Sequence, residues 1–307
     1  MKRYDGNELN LGALKTLEPF VMKYRSASWV LCIQQFDLSK TLHFIKEYNE
    51  EHNLDKKSRL TLFQIILCAG ARAIALHPQV NRFISGKRYF QRNRLNFAFV
   101  VKPDMTPESP ETLTKFDMDP FETIDSIRVK MHSFVKEARS DAGSDAEKQI
   151  QLLAKLPHRI KVMANNIISR RDYKGKLGPA YIESDPMFCS AVFANLGSVK
   201  LDGLLVHHTY EYGNSSVFVT LGRIRKGIVI SENNEVQVRD VVDIAFNIYE
   251  RISGGRYLAD VLMMVKNLVE NPEKLIEKPD IPEEIIKELN LVDLAKYKPY
   301  LKLKKKK

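Results

Sequence analysis

Two hydrophobic periods alternate along this chain, and the places where one gives way to the other mark its elements. Residues 11–24 space their apolar side chains as a helix does, and residues 29–36 (WVLCIQQF) read as a strand rich in β formers. Asp37 is placed to cap a helix running to about His52, with Leu42, Ile45 and Tyr48 along its apolar face. Ser58 opens a long buried helix that closes at Leu76, ahead of His77-Pro78. Ser85-Gly86 between RFI and KRYF predicts a hairpin turn, and residues 96–102 (NFAFVVK) predict a buried strand. A loop is expected over 103–110, an exposed amphipathic helix over 121–139 and a basic helical region over 145–171. Further strands are predicted over 189–194, 217–221 and 241–250, and a last long helix over 255–269. The order is mixed α/β, with strands too dispersed for a Rossmann alternation.

The chain has 307 residues, of which 44% are hydrophobic and 28% charged. That suffices to bury a sizeable core without disulfides or metal. Cys32, Cys68 and Cys189 are scattered and form no C-x-x-C pair. Their spacing argues against a disulfide framework and a zinc ribbon and for a reducing, cytoplasmic setting. No metal site is expected. The N-terminal MKRYDGNELNLGALK lacks the apolar core of a signal peptide. The longest apolar run, LTLFQIILCAGARAIAL, is interrupted by Arg72. It is also too short for a membrane-spanning helix. Five of the net +10 charges are Lys302, Lys304, Lys305, Lys306 and Lys307. That tail is expected to be solvated, with non-specific attraction to acidic lipid or RNA as the alternative.

Three pieces of the chain carry a family resemblance. Tyr249-Glu250-Arg251-Ile252-Ser253-Gly254-Gly255 ends an apolar strand and leads through a glycine pair into an amphipathic helix. Upstream, TLFQIILCAGARAIALHPQVNRFISGKRYFQRNRLNFAFVV joins a helix ending in Pro to a hairpin and a strand, and Phe193-Ala194-Asn195-Leu196-Gly197 closes another strand. In this order they resemble the chloramphenicol acetyltransferase-like superfamily, as a divergent branch of the 2-oxoacid dehydrogenase acyltransferase (dihydrolipoamide acyltransferase) catalytic domains. The resemblance runs from about residue 16 to about residue 272. It implies a mixed-sheet two-layer α/β sandwich, assembled as a homotrimer with active sites between subunits. It assigns residues 1–280 to the acyltransferase-like domain and 281–307 to a C-terminal extension with the polylysine tail, an extension that argues against the cubic assembly of the family. Lipoyl and subunit-binding domains are not expected, and Asp55-Lys56-Lys57 reads as a helix-capping loop and not as a lipoyl attachment site.

The resemblance also implies a chemistry: acyl transfer from a coenzyme A thioester. A histidine deprotonates the acceptor, a serine donates to the oxyanion, and an aspartate holds the motif loop. This chain carries Glu250, Ala194 and Gly254 at those positions. Ala194 has no donor, a loss of about 3 kcal/mol of transition-state stabilisation. A carboxylate with a pKa of about 4.3 is a weak base toward a thiol at about 8.5 unless burial raises it. Glu250 is therefore either a base or ligand anchor, or the partner of an arginine from elsewhere; Arg251, its neighbour on the strand, should face the other way. Asn195 and Gly197 complete the strand-end motif, and Arg251, Gly254 and Gly255 complete the motif loop.

A second constellation is Val206-His207-His208-Thr209-Tyr210-Glu211-Tyr212-Gly213, similar to a run in a divergent acyltransferase-like branch that also carries Glu-Arg at the later motif. His207 or His208, oriented by Glu211 or Glu250, is a candidate transplanted base; the alternative is a polar loop at the subunit interface. The condensation-domain motif does not fit, because Tyr212 stands in place of its aspartate and a strand follows instead of a long helix. Arg159, Lys161, Arg170 and Arg171 either meet the phosphates of coenzyme A or form a solvated face. Three functions stay open: a divergent acyl-coenzyme A acyltransferase or binder, a non-catalytic trimeric scaffold for a larger protein complex, and a membrane- or RNA-associated protein working through Lys304, Lys305, Lys306 and Lys307.

Overall fold

The strands of this protein sort their side chains between two faces by simple alternation, and helices pack one of those faces. The structure is a computed structural model and describes residues 1–101, 112–140, 155–202, 211–230 and 233–292. Its strands are β1 (Gly6–Glu8), β2 (Trp29–Asp37), β3 (Arg82–Ser85), β4 (Arg88–Arg92), β5 (Asn96–Val101), β6 (Thr112–Asp117), β7 (Ala191–Asn195), β8 (Val217–Leu221), β9 (Arg225–Ile230) and β10 (Val236–Tyr249). Its helices are α1 (Ala13–Val21), α2 (Ser39–Glu51), α3 (Leu62–Leu76), α4 (Ile124–Ser140), α5 (His158–Tyr173), α6 (Pro179–Ser184), α7 (Gly255–Glu270) and α8 (Glu283–Leu289).

The main sheet has the order β2-β10-β8-β7-β5-β6, with β9 paired to β10. The β5–β7 and β7–β8 pairs are parallel and the others antiparallel, so the sheet is mixed as expected. Phe97 and Phe99 of β5, Phe193 of β7 and Val217 and Val219 of β8 join the core beneath α2, α3, α4 and α7. Ala98, Val192 and Phe218, one residue out of phase, form a separate cluster on the other face. A small sheet, β1-β4-β3, lies apart from it. Its hairpin turns through Gly86 and Lys87, both in the left-handed region. That is the geometry of a two-residue primed turn. A Cβ on Gly86 would also collide with the carbonyl oxygen of Tyr173, so only glycine lets this turn approach the end of α5.

Several elements differ from expectation in ways that the packing explains. The long helix starts at a Thr61–Gln64 capping box, not at Ser58. Asp37 sits one residue before the helix boundary, where its Oδ1 accepts from the Ser39 backbone N–H at 2.9 Å. The last strand begins at Val236, and its first half pairs with β9, which the sequence did not reveal. Ile228, Ile230, Val236 and Val238 of this ribbon are exposed, so no burial period marks it. Residues past 280 still pack on the domain: Ile281, Ile286, Leu289 and Leu291 are buried in the main core, and Arg82 pairs with Glu288 at 3.0 Å. Among the described residues no helix is long and apolar enough to cross a membrane. The 103–110 loop and the polylysine tail lie outside the described residues.

Arg72, the charge that interrupts the long apolar run, ties the C-terminal segment to α3. Its guanidinium donates to the carbonyls of Lys274 and Glu277, and to that of Glu122 at 3.2 Å. A methionine of similar length would take this donor away from all three. Arg72→Met should lower stability by about 2–4 kcal/mol in urea unfolding. A loss below about 0.5 kcal/mol would contradict this role.

Candidate functional site

β10 carries the motif strand to its end at Tyr249, whose backbone N–H donates to Ser216 at 2.9 Å and whose ring stacks on Trp29 with centroids 5.5 Å apart. Residues 250 and 251 do not continue the strand, contrary to the sequence reading. They begin a 3-10 turn, Glu250–Ile252, that reverses the chain before α7 opens after Gly254. In such a turn successive side chains diverge by about 120°, not by a half turn. Glu250 comes out exposed, while Arg251 is buried with 5% exposure. The arginine partner considered for Glu250 is not found among the described residues. Gly254 and Gly255 are exposed, and a Cβ at either would meet nothing within 4 Å.

The strand-end motif lies elsewhere. Ala194 pairs with Thr220, which pairs with Ala245, four residues before Tyr249 on β10. Strand geometry then puts Ala194 roughly 16 Å from Tyr249 within one chain. Ala194 offers no donor there. Asn195 accepts from the Ser198 N–H at 3.3 Å and caps the turn that follows β7. Gly197 lies so close to Gly222 that an added Cβ would come within 2.6 Å of its carbonyl oxygen. One copy of the chain therefore does not bring Ala194, Asn195 and Gly197 together with Glu250, Arg251, Gly254 and Gly255.

At the end of β10 there is instead a cavity of about 260 Å³. Lys23 and Arg25, Lys87 of the hairpin turn, Glu211, Tyr249 and Arg251 line it. Arg25 is buried, and its Nη1 donates to the Gly213 carbonyl at 2.5 Å. Burial pushes its guanidinium down to about 10, with Glu211 opposing and Arg251 reinforcing that shift. Arg251 donates through Nη1 to the Met22 carbonyl, and burial lowers it as well. Both guanidinium groups lie against the Tyr249 ring, at 5.5 Å for Arg25 and 4.5 Å for Arg251. These are cation–π distances. Arg25 went unnoticed in the sequence, because a single arginine in KYRSAS carries no periodic or motif signal.

Glu211 does not stand free to orient a base. Its carboxylate accepts from the Arg25 N–H at 3.0 Å, the Ser26 N–H at 2.8 Å and the Ser26 hydroxyl at 2.6 Å. Partial burial pushes this carboxyl up, but the hydrogen bonds from Ser26 and Arg25 outweigh it and hold it below the usual range. His207 and His208 lie outside the described residues. Tyr212 hydrogen-bonds Tyr181 and Asp185 through its hydroxyl and meets Phe188 edge-on at 5.8 Å. Arg159, Lys161, Arg170 and Arg171 are all exposed on α5, a helix with no buried residue. No group of three or more metal-binding side chains occurs among the described residues.

The lowered Glu211 carboxyl has a definite sign in stability. Its contribution is present above the unfolded value of about 4.3 and is lost as pH falls through the lower folded value. Glu211→Gln should reduce stability at neutral pH and flatten the acid limb of the stability–pH curve. An acid limb identical to that of the parent protein would contradict the three hydrogen bonds drawn to this carboxylate.

No protein-family model matches the chain. It is 22% identical over 251 residues to a Rickettsia conorii protein named as the dihydrolipoyllysine-residue succinyltransferase component of the 2-oxoglutarate dehydrogenase complex, covering 82% of this chain and 52% of that protein. The Rickettsia typhi protein of the same name is equally similar, at 22% over 251 residues. The chain thus spans about half the length of the curated relatives it matches. Among solved structures it is similar to a probable dihydrolipoamide acetyltransferase from Listeria monocytogenes 4b F2365, at 16% identity and a TM-score of 0.55, over 86% of this chain and 94% of that one. It is also similar to the cubic core of a pyruvate dehydrogenase multienzyme complex, at 11% identity and a TM-score of 0.57, over 88% and 93% of the two chains. By fold this chain is a mixed-sheet α/β domain like that of the dihydrolipoamide acetyltransferase and the pyruvate dehydrogenase core just named, and over 251 residues its sequence is similar to those of the named succinyltransferase components.

Proposed function

We propose that the protein binds a coenzyme A thioester, with the acyl end seated in the cavity at the end of β10, and that it does so as a homotrimer. The position of that cavity carries the reading. It opens where the motif strand turns into α7, and Arg25, Glu211, Tyr249 and Arg251 furnish it with charge and an aromatic wall. Pockets for drug-sized ligands run to about 300–1,000 Å³. A cavity of about 260 Å³ suits an acyl end and not a whole cofactor. The register supports an oligomer. A separation of roughly 16 Å keeps the Ala194–Gly197 strand end and the Tyr249–Gly255 turn of one chain from acting on one carbonyl, so a site using both needs a neighbouring copy. Relatives named as components of a dehydrogenase complex support a place in a larger assembly with a protein partner.

A non-catalytic assembly subunit is the second reading, and specific observations favour it over turnover. Ala194 supplies no oxyanion donor, Glu250 is exposed and outside the cavity lining, and Glu211 is held in its ionised, weakly basic form. If the chain does transfer acyl groups, the base comes from His207 or His208, and His207→Ala or His208→Ala should abolish that turnover.

Acetyl-coenzyme A at about 100 times its dissociation constant should stabilise the purified protein by about 2.7 kcal/mol, a rise of several degrees in Tm. Sedimentation should give three times the 35.3 kDa chain mass. A trimer with no shift at millimolar ligand would overturn the thioester reading and leave the assembly subunit. A monomer would overturn the shared site.

A further inference from the structure

Two buried guanidinium groups face one small cavity without a carboxylate of their own. Arg25 and Arg251 form no ion pair with any described acidic side chain, and each spends one bond on a backbone carbonyl. The Nε of each is buried and lacks a partner. Lys23 and Lys87 add positive charge to the same walls. The cavity's two acidic side chains already have hydrogen-bond partners, Asp172 with Arg3 at 3.0 Å and Ser85 at 3.1 Å, and Glu211 with the backbone and hydroxyl of residues 25 and 26, and the charge of Glu211 offsets only part of the burial of Arg25. Like charges buried together are unfavourable, and a bound anion removes that cost by satisfying donors from both sides. The planar forks suit an oxyanion, and both guanidinium groups lie against the Tyr249 ring.

We propose that this cavity is an anion site in which Arg25 and Arg251 together bind a carboxylate or phosphate group of a small ligand. The inference rests on the reading that the cavity receives a ligand, and not on coenzyme A being that ligand. A thioester seated here would then be held more tightly if its acyl chain ended in an acidic group, and a free dicarboxylate or inorganic phosphate would occupy the same place.

Calorimetric titration of the full chain with succinate, inorganic phosphate and neutral succinamide, at matched ionic strength, tests this. Succinate or phosphate should bind while succinamide does not, and the tighter of the two names the source. Arg251→Lys and Arg25→Lys keep the charge but lose the fork, and each should weaken the anion at least tenfold. Because either change loosens a loop carbonyl, Lys23→Ala serves as the second variant. Its side chain is exposed. Its loss should weaken the anion by about fivefold or less. Equal binding of succinamide, no binding of either anion, or anion binding indifferent to all three variants would each overturn the site. Stabilisation by acetyl-coenzyme A without small-anion binding would overturn it while leaving the thioester reading standing.

Discussion

Buried cations donating to loop carbonyls hold this protein together. A mixed main sheet with long connections places many backbone oxygens under packed side chains, where each needs a donor. Arg72 serves the carbonyls of residues 122, 274 and 277; Lys115 serves those of Ile182, Asp185 and Phe188; Arg92 reaches Asn214 at 2.9 Å. Arg3 stands between Asp5, Asp172 and Ser85 and ties β1 to the end of α5. A guanidinium can do this because it carries several donors on a rigid plane and is less strongly hydrated than an ammonium. Part of the positive charge of the chain is thus internal and structural, which is why charge alone says little about its partners.

The same device shapes the site. Arg25 and Arg251 fasten the segments around residues 213 and 22 to the end of β10, and Glu211 clamps residues 25 and 26 from the other side. The result is a small chamber at the end of β10, built from Tyr249 and Arg251 of that segment together with Arg25 and Glu211 from elsewhere in the chain. Glu250, just past the end of that strand, is exposed.

Much of the fold was legible because burial writes a period into the sequence. The apolar run of α3 and the strand formers of β2 were read in place, and the hairpin turn expected at Ser85-Gly86 falls one residue later, at Gly86-Lys87. The ribbon of β9 and early β10 escaped because its isoleucines and valines face outward, leaving no alternation between buried and polar positions. The turn at Glu250 escaped because residue types do not reveal where a strand yields to three residues of tighter helix. The distance between the two motifs was out of reach for a different reason. It is set by the β7–β8–β10 register, a non-local property, and the chamber depends on Arg25, which is remote in sequence from everything it touches at the end of β10.

The most direct test is an experimental structure of the purified protein with acetyl-coenzyme A. The expected result is a trimer with the acyl end between Arg25, Tyr249 and Arg251, and the Ala194–Gly197 strand end of a neighbouring copy closing over it. A thioester bound away from that chamber, or an empty chamber in a saturated crystal, would contradict this reading.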